Sequence, residues 1–448
     1  MKTGSHRGRV STSKTLCFMC KQEMLGMGVV SELLKDVEIP RMAKVRQIFA
    51  RDRLDSVPDA LRSELFKEEI KNTVRPGMQI AITGGSRGIA DIAVILKEIA
   101  SFVKERGAHP FIIPAMGSHG GATVAGQVEV LESYGITEEY CGCPIKATME
   151  TRRIGFVAGQ KPVFIDKYAA AADGIIVVNR IKPHTSFRGT YESGLMKMLA
   201  VGLGKQKGAG LFHATGFKNA AGFIPLYGNV ILANSNVLFG VAILENPYDE
   251  ACKITALTRD QIPEQEPALL AVAKALMPRI WFTEIDVLIV DQIGKNISGD
   301  GMDPNITGTF ATPYASGGVR AQRVAVLDLS EETHGNAIGM GAADFSTRRL
   351  FEKVDLEKTY PNGLTSTVVS IMKIPVILNS DREAIQAAIK TCTEIGPTGP
   401  AIVRIKNSLH LDCIYISEAL LDQAGRMQNI EVLEEPRPLV FNEQGNLW

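Results

Sequence analysis

The chain has 448 residues, more than one hydrophobic core usually serves, so two domains are expected. Hydrophobic residues make up 45% and charged residues 22%, which places the chain among ordinary soluble globular proteins. Lys+Arg and Asp+Glu both number 49, and a net charge of zero argues against nucleic acid or an anionic membrane as the main partner.

Residues 1–22 carry five Lys/Arg and no acid. The apolar piece at 16–19 is too short for the core of a signal peptide. This predicts a loose basic arm over 1–35. No apolar run reaches the roughly 18 residues of a membrane span, so a cytoplasmic protein is expected. Cys17 and Cys20 have the spacing of a metal or redox pair, but no second Cys-x-x-Cys completes a four-thiolate zinc site. Cys141 and Cys143 form another close pair. Seven scattered cysteines argue against a disulfide framework.

From residue 78 onward, apolar β-branched runs alternate with helical patterns. Strands are expected at 78–82, 110–115, 174–179, 237–243, 286–291, 323–329, 374–378 and 401–405. Helices are expected over 89–106 and 382–393, the second opened by a capping box at Ser380 and Glu383. Such alternation predicts an α/β fold of two domains, each with a mostly parallel sheet flanked by helices. The Pro- and Gln-rich stretch 258–270 predicts a linker or edge-of-domain loop. The boundary then separates an N-terminal domain over 36–275 from a C-terminal domain over 276–448.

The first of these strands runs into Thr83-Gly84-Gly85-Ser86-Arg87-Gly88, which looks like the phosphate turn of a short-chain dehydrogenase. A lone glycine-rich turn is a weak signal. Here Ala90 replaces the last glycine of that pattern, and none of the nine tyrosines has the required lysine four residues later. What survives is a turn entering a helix, whose N–H groups and positive dipole, with Arg87, suit a phosphate or carboxylate. A tight structural turn with a surface arginine is the other reading.

Three of the seven histidines fall in settings that suit a site. His119 lies between glycines just past the strand at 110–115, and His184 follows Pro183 after the strand at 174–179. His213 sits in a glycine-containing stretch, 208–216. Ligand and catalytic groups of α/β folds collect in loops at strand C-termini. Lys197 lies in the apolar stretch 192–204, where burial would make its amine nucleophilic. On an exposed amphipathic helix it would snorkel instead.

This ordered set resembles the nickel-dependent lactate racemase family, whose members use a nickel-pincer nucleotide, over roughly residues 75–430. The resemblance implies that His119, in a Gly-Ser-His loop, and His184, in a Lys-Pro-His loop, are the two acid–base histidines. Lys197, with Gly202 five residues on, would tether the cofactor as a thioamide. His213, sixteen residues beyond that lysine, would ligate nickel. Gln292 and Lys295, three apart after the strand at 286–291, match the pair that holds the substrate carboxylate. The glycine-rich stretch 297–308 could shape the interdomain cleft expected to form the active site; an ordinary surface loop is the other reading. Ser86 and Arg87 match the family's Asp-x-Thr-Arg-Pro turn near cofactor and substrate, although Gly84 replaces the aspartate and Gly88 the proline.

The activity implied is racemisation or epimerisation of a 2-hydroxy acid by hydride transfer to and from the tethered cofactor. The C–H proton is too weakly acidic for direct abstraction, whereas histidines, with a pKa near working pH, suit the hydroxyl proton. Square-planar coordination with soft donors suits Ni(II). The family's lactate enzymes carry a C-domain tryptophan near the substrate. Trp281 and Trp448 do not match it, so malate-like, aromatic and sugar-acid substrates stay open. The partners implied are the 2-hydroxy acid and the proteins that build the cofactor. Two alternatives stand beside this. One is zinc or iron held by His119, His184 and His213 for hydrolysis or dehydration. The other is a non-catalytic protein that binds a nucleotide or the nickel cofactor.

Overall fold

The computed structural model of the chain describes residues 28–86 and 88–448. Cys17, Cys20, Arg87 and most of the basic arm lie outside the described residues. The strands in the first part of the chain are β1 (Met42–Gln47), β2 (Gln79–Gly84), β3 (His109–Pro114), β4 (Thr151–Val157), β5 (Lys161–Asp166), β6 (Gly174–Arg180), β7 (Val237–Glu245) and β8 (Ala251–Thr258). The remainder are β9 (Glu284–Ile293), β10 (Arg320–Leu329), β11 (Phe345–Thr347), β12 (Val376–Leu378), β13 (Ile402–Ile405), β14 (Cys413–Ser417) and β15 (Ile430–Val432).

One sheet has the order β3-β2-β6-β7-β8, parallel except for β8, which returns antiparallel to β7. The other has the order β12-β11-β10-β9-β13-β14-β1-β15, parallel as far as β13 and antiparallel beyond it. β4 and β5 form a separate hairpin. The fold is α/β, with mixed sheets flanked by helices. No helix among the described residues is long and apolar enough to cross a membrane.

Period-two alternation sends Ile80, Ile82, Ile176 and Val178 to one face of the first sheet and Ala81, Ile175 and Val177 to the other. The helix Ile92–Glu105 covers the first face with Ile92, Ile95, Leu96, Ile99 and Val103, a stripe at helical spacing. The second face is covered by the segment 195–213 and by the helices Phe217–Asn234 and Gln261–Leu276. Both faces are therefore dry, as parallel strands require.

The stretch 258–270 is not a linker. Most of it belongs to the helix Gln261–Leu276, which carries Ile262, Leu269, Leu270 and Ala273 into the core. Pro263 falls in the first turn, where a missing N–H matters little. The buried stripe outweighs the hydrogen bond lost at Pro267.

The end of the expected arm is ordered as well. Residues 29–34 form a helix against the helix Asp381–Lys390, with Ser31 Oγ donating to Glu383 Oε1 at 2.5 Å. β1 pairs with β14 and β15, so residues 42–47 belong to the second sheet although they precede the first in sequence. At the capping box, Ser380 accepts from the Glu383 N–H at 3.3 Å, while Glu383 Oε2 accepts from the N–H of Asn379.

Candidate functional site

β2 lies between β3 and β6, so the chain leaves β2 on one side and returns later on the other. Crevices at such reversals, outside the C-terminal strand ends, are where open α/β sheets bind ligands. The loops after β2, β3 and β6 carry Ser86, His119 and His184 respectively.

His184 is nearly buried, and its ring stacks on Phe187 with centroids 4.2 Å apart. Its backbone N–H donates to Glu192 Oε2 at 2.8 Å. Its Nδ1 accepts from the Ser186 N–H at 3.0 Å, which places the proton of the neutral ring on Nε2. Nε2 lies 2.6 Å from Lys197 Nζ. The contact sets the Lys197 amine within hydrogen-bond reach of the imidazole.

Lys197 ends the short helix Leu195–Lys197 and is followed by a π-helical turn over Met198–Gly202. Such wide turns recur at functional sites. A Cβ at Gly202 would lie 2.6 Å from Ala115 O, so only glycine lets this turn approach the loop after β3. Beneath the short helix, the buried Glu266 accepts the Met196 N–H at 2.9 Å. Burial pushes its carboxyl up to about 7, against the backbone N–H groups of Met196 and Leu195. His213 closes the helix Lys205–His213. Its ring and that of His184 each lie about 6 Å from Phe217, at 5.9 and 6.0 Å. Burial, and secondarily any charge on Lys197, lowers the His213 pKa to about 4. Its imidazole is therefore neutral near pH 7, the form that ligates a metal.

The loop after β3 needs glycine at 120, where φ is 64° and a Cβ would strike the backbone of Gly126. The Gly117 N–H donates to Gly202 O at 3.2 Å, which joins the His119 loop to the turn behind Lys197. In the loop after β2, Tyr134 donates to Ser86 O at 3.2 Å, and a Cβ at Gly85 would touch Met198. Gly85, next to Ser86, thus lies against the residue that follows Lys197. The Ala90 N–H donates to Glu245 Oε1 at 2.8 Å.

The second half of the chain grips the His184 loop. Lys182 Nζ pairs with Asp303 Oδ2 at 3.0 Å, and Thr312 donates to Ser186 O. Arg188 donates to His184 O at 2.6 Å, to Asn305 Oδ1 at 2.6 Å and to Ser316 O at 2.8 Å. The cavity beside this contact, lined by Arg180, Lys182, Asp249 and Asp303, holds only about 50 Å³, room for a few waters.

Gln292 and Lys295 stand at the end of β9, in that second half. The Lys295 amine donates to Asn362 on the helix Leu356–Ser366, which packs across on the helix bearing His213. Trp281 stacks on Phe49 and Trp448 lies under Arg349. Cys141 and Cys143 are buried, and burial pushes the Cys143 thiol up to about 11, a protonated and inert state.

Glu192, Arg188, Glu266 and Lys205 escape sequence reasoning. Each is a charged residue whose default reading is surface, and only the fold shows three of them fully buried. The Arg188–Glu192 spacing of four was the one local hint.

No family model and no curated protein matches the sequence. Among solved structures, the chain is similar to the lactate racemase apoprotein from Thermoanaerobacterium thermosaccharolyticum, with a TM-score of 0.50 and 13% sequence identity. The match covers 82% of this chain and 99% of that one. This likeness shows a shared α/β fold.

Proposed function

We propose that the chain is a racemase or epimerase of 2-hydroxy acids that works with a nickel-pincer nucleotide anchored on Lys197. The observation that carries this reading is the His184–Lys197 contact, which sets the amine 2.6 Å from the ring of an acid–base candidate. The residues present fit the group. The amine suits a covalent bond, and the His213 imidazole, neutral through burial, offers a metal ligand on the same segment.

Among the described residues, no three His, Cys, Asp or Glu side chains gather closely enough to hold a metal ion. Nickel held mainly by a cofactor asks only one imidazole of the protein.

When bound, the cofactor would supply a hydride acceptor and donor at the substrate carbon. His184 and His119 would each hold the hydroxyl proton of one enantiomer, on opposite sides of that carbon. Gln292 and Lys295 would take the carboxylate from the second half, and Ser86 and Arg87 would face the nucleotide and the substrate oxygen. The clamp of Arg188 and Lys182 would keep the halves together and water out.

The test is intact mass and metal content of protein co-expressed with the proteins that build the cofactor, followed by a screen of chiral 2-hydroxy acids. A nucleotide-sized adduct at Lys197, nickel near one per chain and racemisation of one substrate class are expected. Protein that carries neither adduct nor nickel after co-expression would overturn the proposal.

A further inference from the structure

Lys205 is wholly buried, although lysine normally keeps its amine in water. Its φ of 54° is left-handed, a conformation that side chains with a Cβ rarely adopt. The amine reaches in several directions. Nζ donates to Pro114 O, the last residue of β3, at 2.8 Å, and to Gln127 Oε1 at 2.5 Å. It lies 3.6 Å from Asp166 Oδ2, and Asp166 is equally buried. The other oxygen of Asp166 accepts the N–H groups of Tyr168 and Ala169.

The Gln127 side chain continues the chain of contacts. With its oxygen on the Lys205 amine, its Nε2 points the other way, donating to Gly117 O at 3.0 Å and His119 O at 3.3 Å. Both the strand that feeds the His119 loop and the loop itself therefore hang on one amine. That amine belongs to the first residue of the helix that ends in His213, a few residues after Lys197. Burial drives the Asp166 carboxyl up and the Lys205 amine down, each opposed by the partner's charge. Held together, the two groups offset part of that cost, but a hydrocarbon side chain would avoid it altogether.

We propose that Lys205, acting through Gln127, is the positioning residue for His119. It fixes the histidine's loop against the segment that carries Lys197 and His213. What His119 does rests on the racemase reading; what Lys205 does to the loop stands on these contacts.

The test compares hydrogen–deuterium exchange of the full chain, without cofactor, in wild type, Lys205→Met and Gln127→Glu. The Gln127→Glu side chain keeps an oxygen for the Lys205 amine and loses both donors to the loop, so it serves even if Lys205→Met fails to fold. Exchange over residues 116–123 should rise by about tenfold or more in Gln127→Glu, with β3 and the helix 205–213 unchanged. In loaded protein, Gln127→Glu should carry the Lys197 adduct to the wild-type extent. Its kcat should fall by about tenfold or more with KM little changed, and its pH–rate profile should shift. Unaltered exchange over 116–123 would overturn the proposal, whatever the loaded enzyme does. An inactive wild-type holoenzyme would overturn the racemase reading instead, and the exchange result would still decide the role of Lys205.

Discussion

Replacing Glu266 by Gln should stabilise the protein progressively as pH rises. The carboxyl is fully buried beneath the helix of Lys197, and its Oε1 has no hydrogen-bond partner. Burial raises its pKa from the ordinary 4.5 to about 7. Between those values the native chain holds a proton that the unfolded chain has lost, so stability falls as pH rises through that window. A tenfold difference in proton affinity between the two states is worth about 1.4 kcal/mol. Between pH 5 and pH 8 the wild type should therefore lose about 2.5 kcal/mol that Glu266→Gln keeps. The uncharged amide still accepts the Met196 N–H. Any constant cost of its extra donor cancels when the two pH values are compared. Urea unfolding of both proteins at pH 5 and pH 8 measures the difference. A stability gap that does not change with pH, or that moves in favour of the wild type, would refute the reasoning.

Three further outcomes are expected. His213, with its pKa lowered to about 4 from 6.5, should stay neutral in an NMR titration down to nearly pH 4. Its native pKa lies below its unfolded one, so it removes stability as pH falls from 6.5 toward 4; a midpoint near the ordinary value would contradict the burial argument. At about pH 7, acetic anhydride should acetylate Lys197 ahead of surface lysines, and His184→Phe should slow that reaction by about tenfold. Peptide mass spectrometry reads both rates, and equal rates in the two proteins would show that the ring does not govern the amine. Arg188→Met should cost about 2–4 kcal/mol in urea unfolding, because it strips donors from His184 O, Asn305 and Ser316 and takes one cation from the buried Glu192.

The sequence by itself determined the four parallel strands of the first sheet, though not the antiparallel β8, together with the helix behind them and the α/β class. These are encoded locally, in β-branched runs and helical spacing that neighbours in the chain can satisfy. It also placed His119 and His184 after strands and set Lys197 and His213 on one segment. Tertiary structure alone decided that β1 joins the second sheet, because its partners β14 and β15 lie near the other end of the chain. The fold likewise overruled two prolines to make 261–276 a helix, since core packing outweighs local propensity. The charges that orient the candidate site, Lys205, Glu192 and Glu266, read as surface residues in one dimension. Their burial depends on which elements cover them, and that burial raises the Glu266 carboxyl and lowers the Lys205 amine.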